Sequence, residues 1–203
     1  MNCKLVGSFI KHLEVELFQG EEFYMEKGAI IYFDEQLEMT SELSGNSLGR
    51  ILGSKLSGES LFIARVYNPG NAPRKLAVGC HGGIIHFKLN NSELICRKGA
   101  YVASSRKVNI TPRLSISGLM GGMGALLQRV SGNATVFLQS VGDPVVIDLA
   151  YGQSIRIDED HFLALEGIPE NRISAKWSAQ NLFGGEGFSM LSITGPGKVY
   201  LNP

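Results

Sequence analysis

Leu13-Glu14-Val15-Glu16-Leu17, Ile85-His86-Phe87-Lys88-Leu89 and Val145-Val146-Ile147-Asp148-Leu149 each carry apolar residues at their first, third and fifth positions. Side chains alternate between the two faces of an extended chain, so this period of two marks a strand with one face buried. The stretches start at Leu13, Ile85 and Val145, at intervals of comparable length. Such recurrence in one polypeptide points to an internal repeat.

The residues after each stretch repeat as well. Leu17 leads through Gly20-Glu21 to Phe23-Tyr24-Met25-Glu26-Lys27-Gly28-Ala29, and Leu89 leads through Ser92-Glu93 to Leu94-Ile95-Cys96-Arg97-Lys98-Gly99-Ala100. Leu149 leads through Gly152-Gln153 to Ser154-Ile155-Arg156-Ile157 and an acidic break, Asp158-Glu159-Asp160-His161. Each reads as a strand, a tight polar turn, a second strand and a break. A second pattern also recurs, where Ser131-Gly132-Asn133-Ala134-Thr135-Val136-Phe137-Leu138 matches Thr194-Gly195-Pro196-Gly197-Lys198-Val199-Tyr200-Leu201. Glycine clusters precede both, Gly121-Gly122-Met123-Gly124 and Gly184-Gly185-Glu186-Gly187. A weaker instance runs from Gly58-Glu59 through Asn68-Pro69-Gly70 to Leu76-Ala77-Val78. These segments are expected to be hairpins, because Gly and Asn accept the positive φ that tight turns need.

The order of these pieces predicts closure. The C-terminal hairpin has no alternating strand after it, and the strand at Leu13 has no hairpin before it. The expectation is that they lie side by side. Closing the array in this way removes sheet edges that invite aggregation. Helix signals are few, since Leu43–Leu56 and Leu114–Leu127 are rich in glycine, a poor helix former. The single tryptophan, Trp177, ends another alternating stretch from Ile173. The sequence therefore predicts an all-β sandwich or barrel-like array with little helix. It is read as one compact unit of pseudo-repeats, approximately 1–57, 58–121 and 122–203.

The chain has 203 residues with 19 basic and 19 acidic side chains, a net charge of zero. That balance gives no global field for phosphate, so nucleic-acid binding has little support. Cys3, Cys80 and Cys96 are an odd number in a chain of this length and do not form a disulfide framework. A reducing compartment is the simpler inference. No secretory or mitochondrial leader is legible near Met1, and no apolar run reaches the ~18 residues of a membrane helix. The expected location is cytoplasmic.

With these residues in place, the chain resembles a known family. Lys27-Gly28-Ala29, Phe137-Leu138-Gln139-Ser140, Asp158–Ala164, Gly184–Phe188 and Thr194–Leu201 look like the signature of the altered-inheritance-of-mitochondria family, in order along nearly the whole chain. Met123 departs from the Glu expected there by comparison with Glu59 and Glu186. The resemblance implies a duplicated β-sandwich, of the double-stranded β-helix kind, similar to the tryptophan RNA-binding attenuation protein. It also implies assembly as a homotrimer, and it supplies no established reaction. Likeness of fold does not transfer RNA binding.

Candidate chemistry is thin. Cys80, His81, His86 and Cys96 carry suitable zinc-ligand atoms, but they lack Cys-x2-Cys or His-x3-His spacing. His86 takes the outward position of its strand, and His81-Gly82-Gly83 reads as a turn. Gly195-Pro196-Gly197-Lys198 continues with Val199, so it places no hydroxyl for a phosphate-bound magnesium. Asp158-Glu159-Asp160-His161 reads as a solvated turn in preference to a cation site. Leu114–Met120 suits an oligomer interface and a core equally. The reading is a non-enzymatic, self-assembling scaffold with no cofactor, metal or catalytic residue assigned and an unidentified protein partner. The alternatives are a ring-type small-ligand or RNA binder and a metal-dependent β-helix enzyme.

Overall fold

The structure, a computed structural model, describes residues 1–8, 10–43, 62–113, 127–177 and 189–203. The glycine clusters at 58–59, 121–124 and 184–187, the segment 114–120 and most of 43–56 lie outside them, as does the side chain of Trp177. The described chain is built of strands, with two three-residue 3-10 turns at Glu159–His161 and Glu170–Arg172. In chain order the strands are β1 (Asn2–Val6), β2 (His12–Leu17), β3 (Glu22–Glu26), β4 (Ile30–Phe33), β5 (Glu38–Leu43) and β6 (Phe62–Tyr67). Next come β7 (Arg74–Val78), β8 (Gly83–Arg97), β9 (Tyr101–Ser104), β10 (Asn109–Arg113) and β11 (Leu127–Ser140). The last are β12 (Val145–Leu149), β13 (Ser154–Asp158), β14 (Phe162–Glu166), β15 (Ile173–Trp177), β16 (Ser189–Thr194) and β17 (Gly197–Leu201).

The chain divides into two compact units. The first takes residues 1–92, 101–110 and 131–142, and the second takes 93–100, 111–130 and 143–203. Their segments interleave because β8 and β11, of 15 and 14 residues, each begin in one unit and end in the other.

In the first unit, one sheet runs β1-β2-β7-β4 and the other includes β11-β9-β3-β6-β5. Leu13, Val15 and Leu17 of β2 meet Phe23 and Met25 of β3 in a single core. The alternation read from the sequence is thus real, with Glu14 exposed between Leu13 and Val15 at about 1% each. Burying an aliphatic or aromatic side chain of this size contributes roughly 1.5–3 kcal/mol. In the second unit, β12-β17-β14-β8 faces β13-β16-β15. Its core gathers Ile95, Phe162, Leu165, Leu191, Ile193 and Val199. Both units are β-sandwiches.

The expected hairpins are corners instead. β2 and β3, β6 and β7, β12 and β13, and β16 and β17 follow each other in sequence but belong to different sheets. The polar links carry the chain from one layer of the sandwich to the other, as strands do when they bend between packed sheets. At two corners no break occurs at all. β8 passes through with Asn91 at φ 51, and β11 passes through with Gly132 at φ 149. Asn and Gly tolerate positive φ, so a local turn signal is spent on a kink inside a continuous strand.

The closure expectation is also corrected. β17 lies between β12 and β14, in the register Val145↔Leu201 to Leu149↔Gly197 on one side and Phe162↔Leu201 to Glu166↔Lys198 on the other. The N-terminal strand β2 pairs with β1 and β7. The C-terminal strand returns to the alternating strand just before it, as β7 does with β2 (Leu13↔Val78 to Leu17↔Arg74).

One irregularity occurs three times. β4 pairs with β7 as Ile30↔Val78 and Tyr32↔Ala77, skipping Ile31. β9 pairs with β11 as Tyr101↔Leu138 and Ala103↔Phe137, skipping Val102. β14 pairs with β17 as Phe162↔Leu201 and Ala164↔Tyr200, skipping Leu163. Such a bulge sets two residues against one and sharpens the local twist. Before each bulged strand comes a break. Gly28 (φ 97) and Gly99 (φ 79) make the Lys-Gly-Ala turns, with Ala29 N–H and Ala100 N–H bonded to Glu26 and Arg97 carbonyls at 3.1 Å each. The third break is the acidic 3-10 turn.

Candidate functional site

Several polar side chains of the described residues bind one another. In the first unit, Tyr24 hydroxyl donates to Glu22 Oε1 at 2.7 Å and Arg65 Nε donates to Glu22 Oε2 at 2.6 Å. The Arg65 guanidinium also lies 5.2 Å from the Tyr67 ring centre, within cation–π range. The Tyr24 hydrogen bond first, and then the Arg65 bond and charge, hold the Glu22 carboxyl below its ordinary pKa. A group depressed in the folded state stabilises it above the unfolded pKa, and that contribution is lost as pH falls through the folded value. Glu22→Gln is therefore expected to flatten the acid side of the stability profile. The change in unfolding free energy from urea denaturation between pH 7 and pH 3 should shrink relative to the parent, by less than about 1 kcal/mol, since this pair is substantially exposed. An unchanged pH slope would contradict that role.

Asn68, fully buried, ties together the corner between β6 and β7. Its Nδ2 donates to the carbonyls of Leu17 (2.8 Å) and Ala72 (2.9 Å), and its Oδ1 accepts from Gly70 N–H (3.0 Å). In the second unit, Arg129 reaches Glu93 at 3.2 Å and Glu170 at 3.3 Å. Tyr200 hydroxyl donates to Glu166 at 2.7 Å, and burial, ahead of that carboxylate, raises the phenol pKa.

The four residues weighed for metal do not converge. Cys80, His81 and His86 belong to the first unit and Cys96 to the second. Cys80 donates weakly to the carbonyls of Gly82 and Gly83 at 3.5 Å, while His81 and His86 are exposed, with His86 beside Phe137. Cys96 is buried and accepts from Gln128 Nε2 at 3.4 Å, and burial pushes its thiol pKa up to about 12. A thiol held neutral in this way is a poor nucleophile and a poor ligand. Among the described residues, no group of three or more His, Cys, Asp or Glu is placed to hold a metal ion. The acidic run is a folded turn. Asp158 caps it by accepting from Asp160 N–H at 3.0 Å, Arg97 donates to the Asp160 carbonyl at 2.6 Å, and His161 Nδ1 lies 2.7 Å from the Asn202 carbonyl.

What stands out is apolar surface at sheet edges. Among the described residues strand β4 ends its sheet, and it exposes Ile31 (58%), Tyr32 (47%) and Phe33 (37%) side by side. Contiguous exposed apolar residues of this size mark interaction sites more often than isolated ones do. β12 exposes Val145 and Val146, since it ends its sheet where β2 is flanked by β1. The uninterrupted apolar run Ile30-Ile31-Tyr32-Phe33 was the sequence signal for the β4 surface, distinct from the alternation around it.

These layered antiparallel sheets define an all-β sandwich protein. A solved structure of a Streptococcus pyogenes protein shares the fold, with a TM-score of 0.70 over 100% of this chain and 93% of that one at 23% sequence identity. An uncharacterised protein of Streptococcus pyogenes serotype M6 is 28% identical over 161 residues, which span 75% of this chain and 64% of that protein's length. The chain thus covers under two thirds of that relative. The family described as mitochondrial biogenesis AIM24 matches residues 3–203, and the chain belongs to it. No described helix is long and apolar enough to cross a membrane.

Proposed function

We propose that the protein is a non-catalytic scaffold that assembles with itself into a trimer and presents its loops to a protein partner. The observation that carries this reading is the apolar edge at β4, which no strand among the described residues pairs, since such an edge is a template for another strand. The polar clusters support it too, because they bind one another and leave no convergent acid, base and nucleophile among the described residues.

We further propose that the chain is three copies of one six-strand repeat. The thrice-repeated bulge and the matching registers of β2 with β7 and β12 with β17 favour repeats at 12–78, 83–140 and 145–201 over a division near 57 and 121. In the middle repeat the first two strands are joined as β8 and the last two as β11. Free Cys3, Cys80 and Cys96 fit a reducing, cytoplasmic location, and the family's description makes a role in organelle biogenesis the partner class to look for.

Light scattering on the native protein tests the assembly. A closed trimer gives three times the 22.0 kDa mass of one chain. A homogeneous single-chain species at micromolar concentration would overturn the scaffold reading.

A further inference from the structure

Building on the self-assembly reading, the strand registers specify which edges meet. Inside the chain, the second strand of one repeat pairs with the third strand of the next. β3 pairs with β9 as Met25↔Ala103 and Tyr24↔Ser104. β8 pairs with β14 as Cys96↔Ala164, Ile95↔Leu165 and Leu94↔Glu166. The two registers coincide. Met25 and Cys96 each stand two residues before the lysine of a Lys-Gly-Ala turn, and each faces the alanine that follows a bulged residue.

The series leaves two strands over. β4 is the third strand of the first repeat and β13 is the second strand of the last, and among the described residues each ends its own sheet. Exposure shows what they lack. Val102 and Ala103 of β9 are 2% and 0% exposed, and Leu163 and Ala164 of β14 are 1% and 0%, whereas Ile31 and Tyr32 in the same places on β4 stand open. Likewise Phe23 and Tyr24 of β3 and Leu94 and Ile95 of β8 are buried, whereas Ile155 of β13 is half-buried and Arg156 is exposed.

We infer that β4 of one copy pairs antiparallel with β13 of the next copy, with Tyr32 opposite Ile157, Phe33 opposite Arg156 and Asp34 opposite Ile155. The occupant of each edge is thus a second copy of this chain, bound head to tail. Heterologous contacts of this type close into rings when the rotation permits, and three copies close the proposed trimer. The pairing gives both strands the neighbour that their counterparts have. It also lets the Arg156 guanidinium rest on the Phe33 ring, a contact arginine favours.

Disulfide trapping tests the register. Directly opposed residues in an antiparallel pair have Cα atoms about 4.5–5.5 Å apart, within disulfide reach. Phe33→Cys and Arg156→Cys, each with Cys3→Ser to remove the exposed native thiol, are co-expressed as separately tagged chains and oxidised mildly. The expected result is a covalent pair containing both tags, which neither variant forms alone. Tyr32→Glu, at an exposed position, is expected to lower the native mass to one chain while leaving the far-UV circular dichroism unchanged. No mixed disulfide, or a bond within single chains carrying both cysteines, would overturn the pairing. A Tyr32→Glu protein that keeps the full assembled mass would place the interface elsewhere and leave self-assembly standing, while a parent that is itself monomeric would remove both.

Discussion

Gly197→Ala is expected to cost about 3 kcal/mol or more of unfolding free energy, the sum of backbone strain and overpacking. Gly197 opens β17 at φ 141, a region that L side chains rarely enter. It stands opposite Leu149 of β12 and one residue from Lys198, the partner of Glu166 in β14. A Cβ there would lie 2.6 Å from the Glu166 carbonyl oxygen and 2.5 Å from Ile168 Cγ1, so backbone has to move to admit it. Gly152→Ala is the control. Gly152 also has positive φ, 76, but a Cβ meets nothing within 4 Å. Only the conformational cost of about 1–2 kcal/mol applies there. Urea midpoints for the two variants give the comparison. Equal losses would mean that close approach of the backbone at Gly197 does not matter, and the geometric role assigned to this glycine would be wrong.

Phe162→Ala should be as damaging, at about 3–5 kcal/mol, the usual range for emptying a buried aromatic site. Phe162 is fully buried, sits opposite Leu201 just before the bulge at Leu163, and packs among Leu165, Ile193 and Val199. The strands on both sides of β14 hold the site open, so collapse into the void is limited. Tyr151→Ala is the matched comparison, because Tyr151 is 83% exposed. A surface truncation of that kind is worth about 0.5 kcal/mol or less. A Phe162→Ala protein that melts at the same temperature as the parent would show that this core is not what the burial pattern says it is.

The strands themselves were the legible part of this sequence. Strict alternation at Leu13–Leu17 became buried and exposed faces as read, and at Ile85–Leu89 it did so for all but the half-buried Ile85, because side-chain periodicity is local and needs no knowledge of the partner strand. The same pattern at Val145–Leu149 gave the strand but not the burial of its first residues, because exposure there depends on whether another strand flanks β12. Strand partnership is non-local, and there the reading failed. Gly20-Glu21 and Gly195-Pro196-Gly197 correctly marked changes of direction, yet a corner between layers and a hairpin within one layer use the same residues. Asn91 and Gly132 kept their turn chemistry without ending a strand. For the candidate site, four cysteine and histidine positions were visible but did not converge. The edge at Ile31, Tyr32 and Phe33 was visible only as an apolar run, since nothing local says that a strand lies at the end of a sheet.

The passage of β8 and β11 from one unit to the other has a consequence for how the protein can be made and cut. The first unit needs residues 131–142, and the second needs 93–100 from well upstream of its main body. No single cleavage leaves both halves whole, because a cut after residue 142 completes the first but divides the second. During synthesis on the ribosome the first sandwich has to wait, with most of its strands already emerged, until residue 142 has left the exit tunnel.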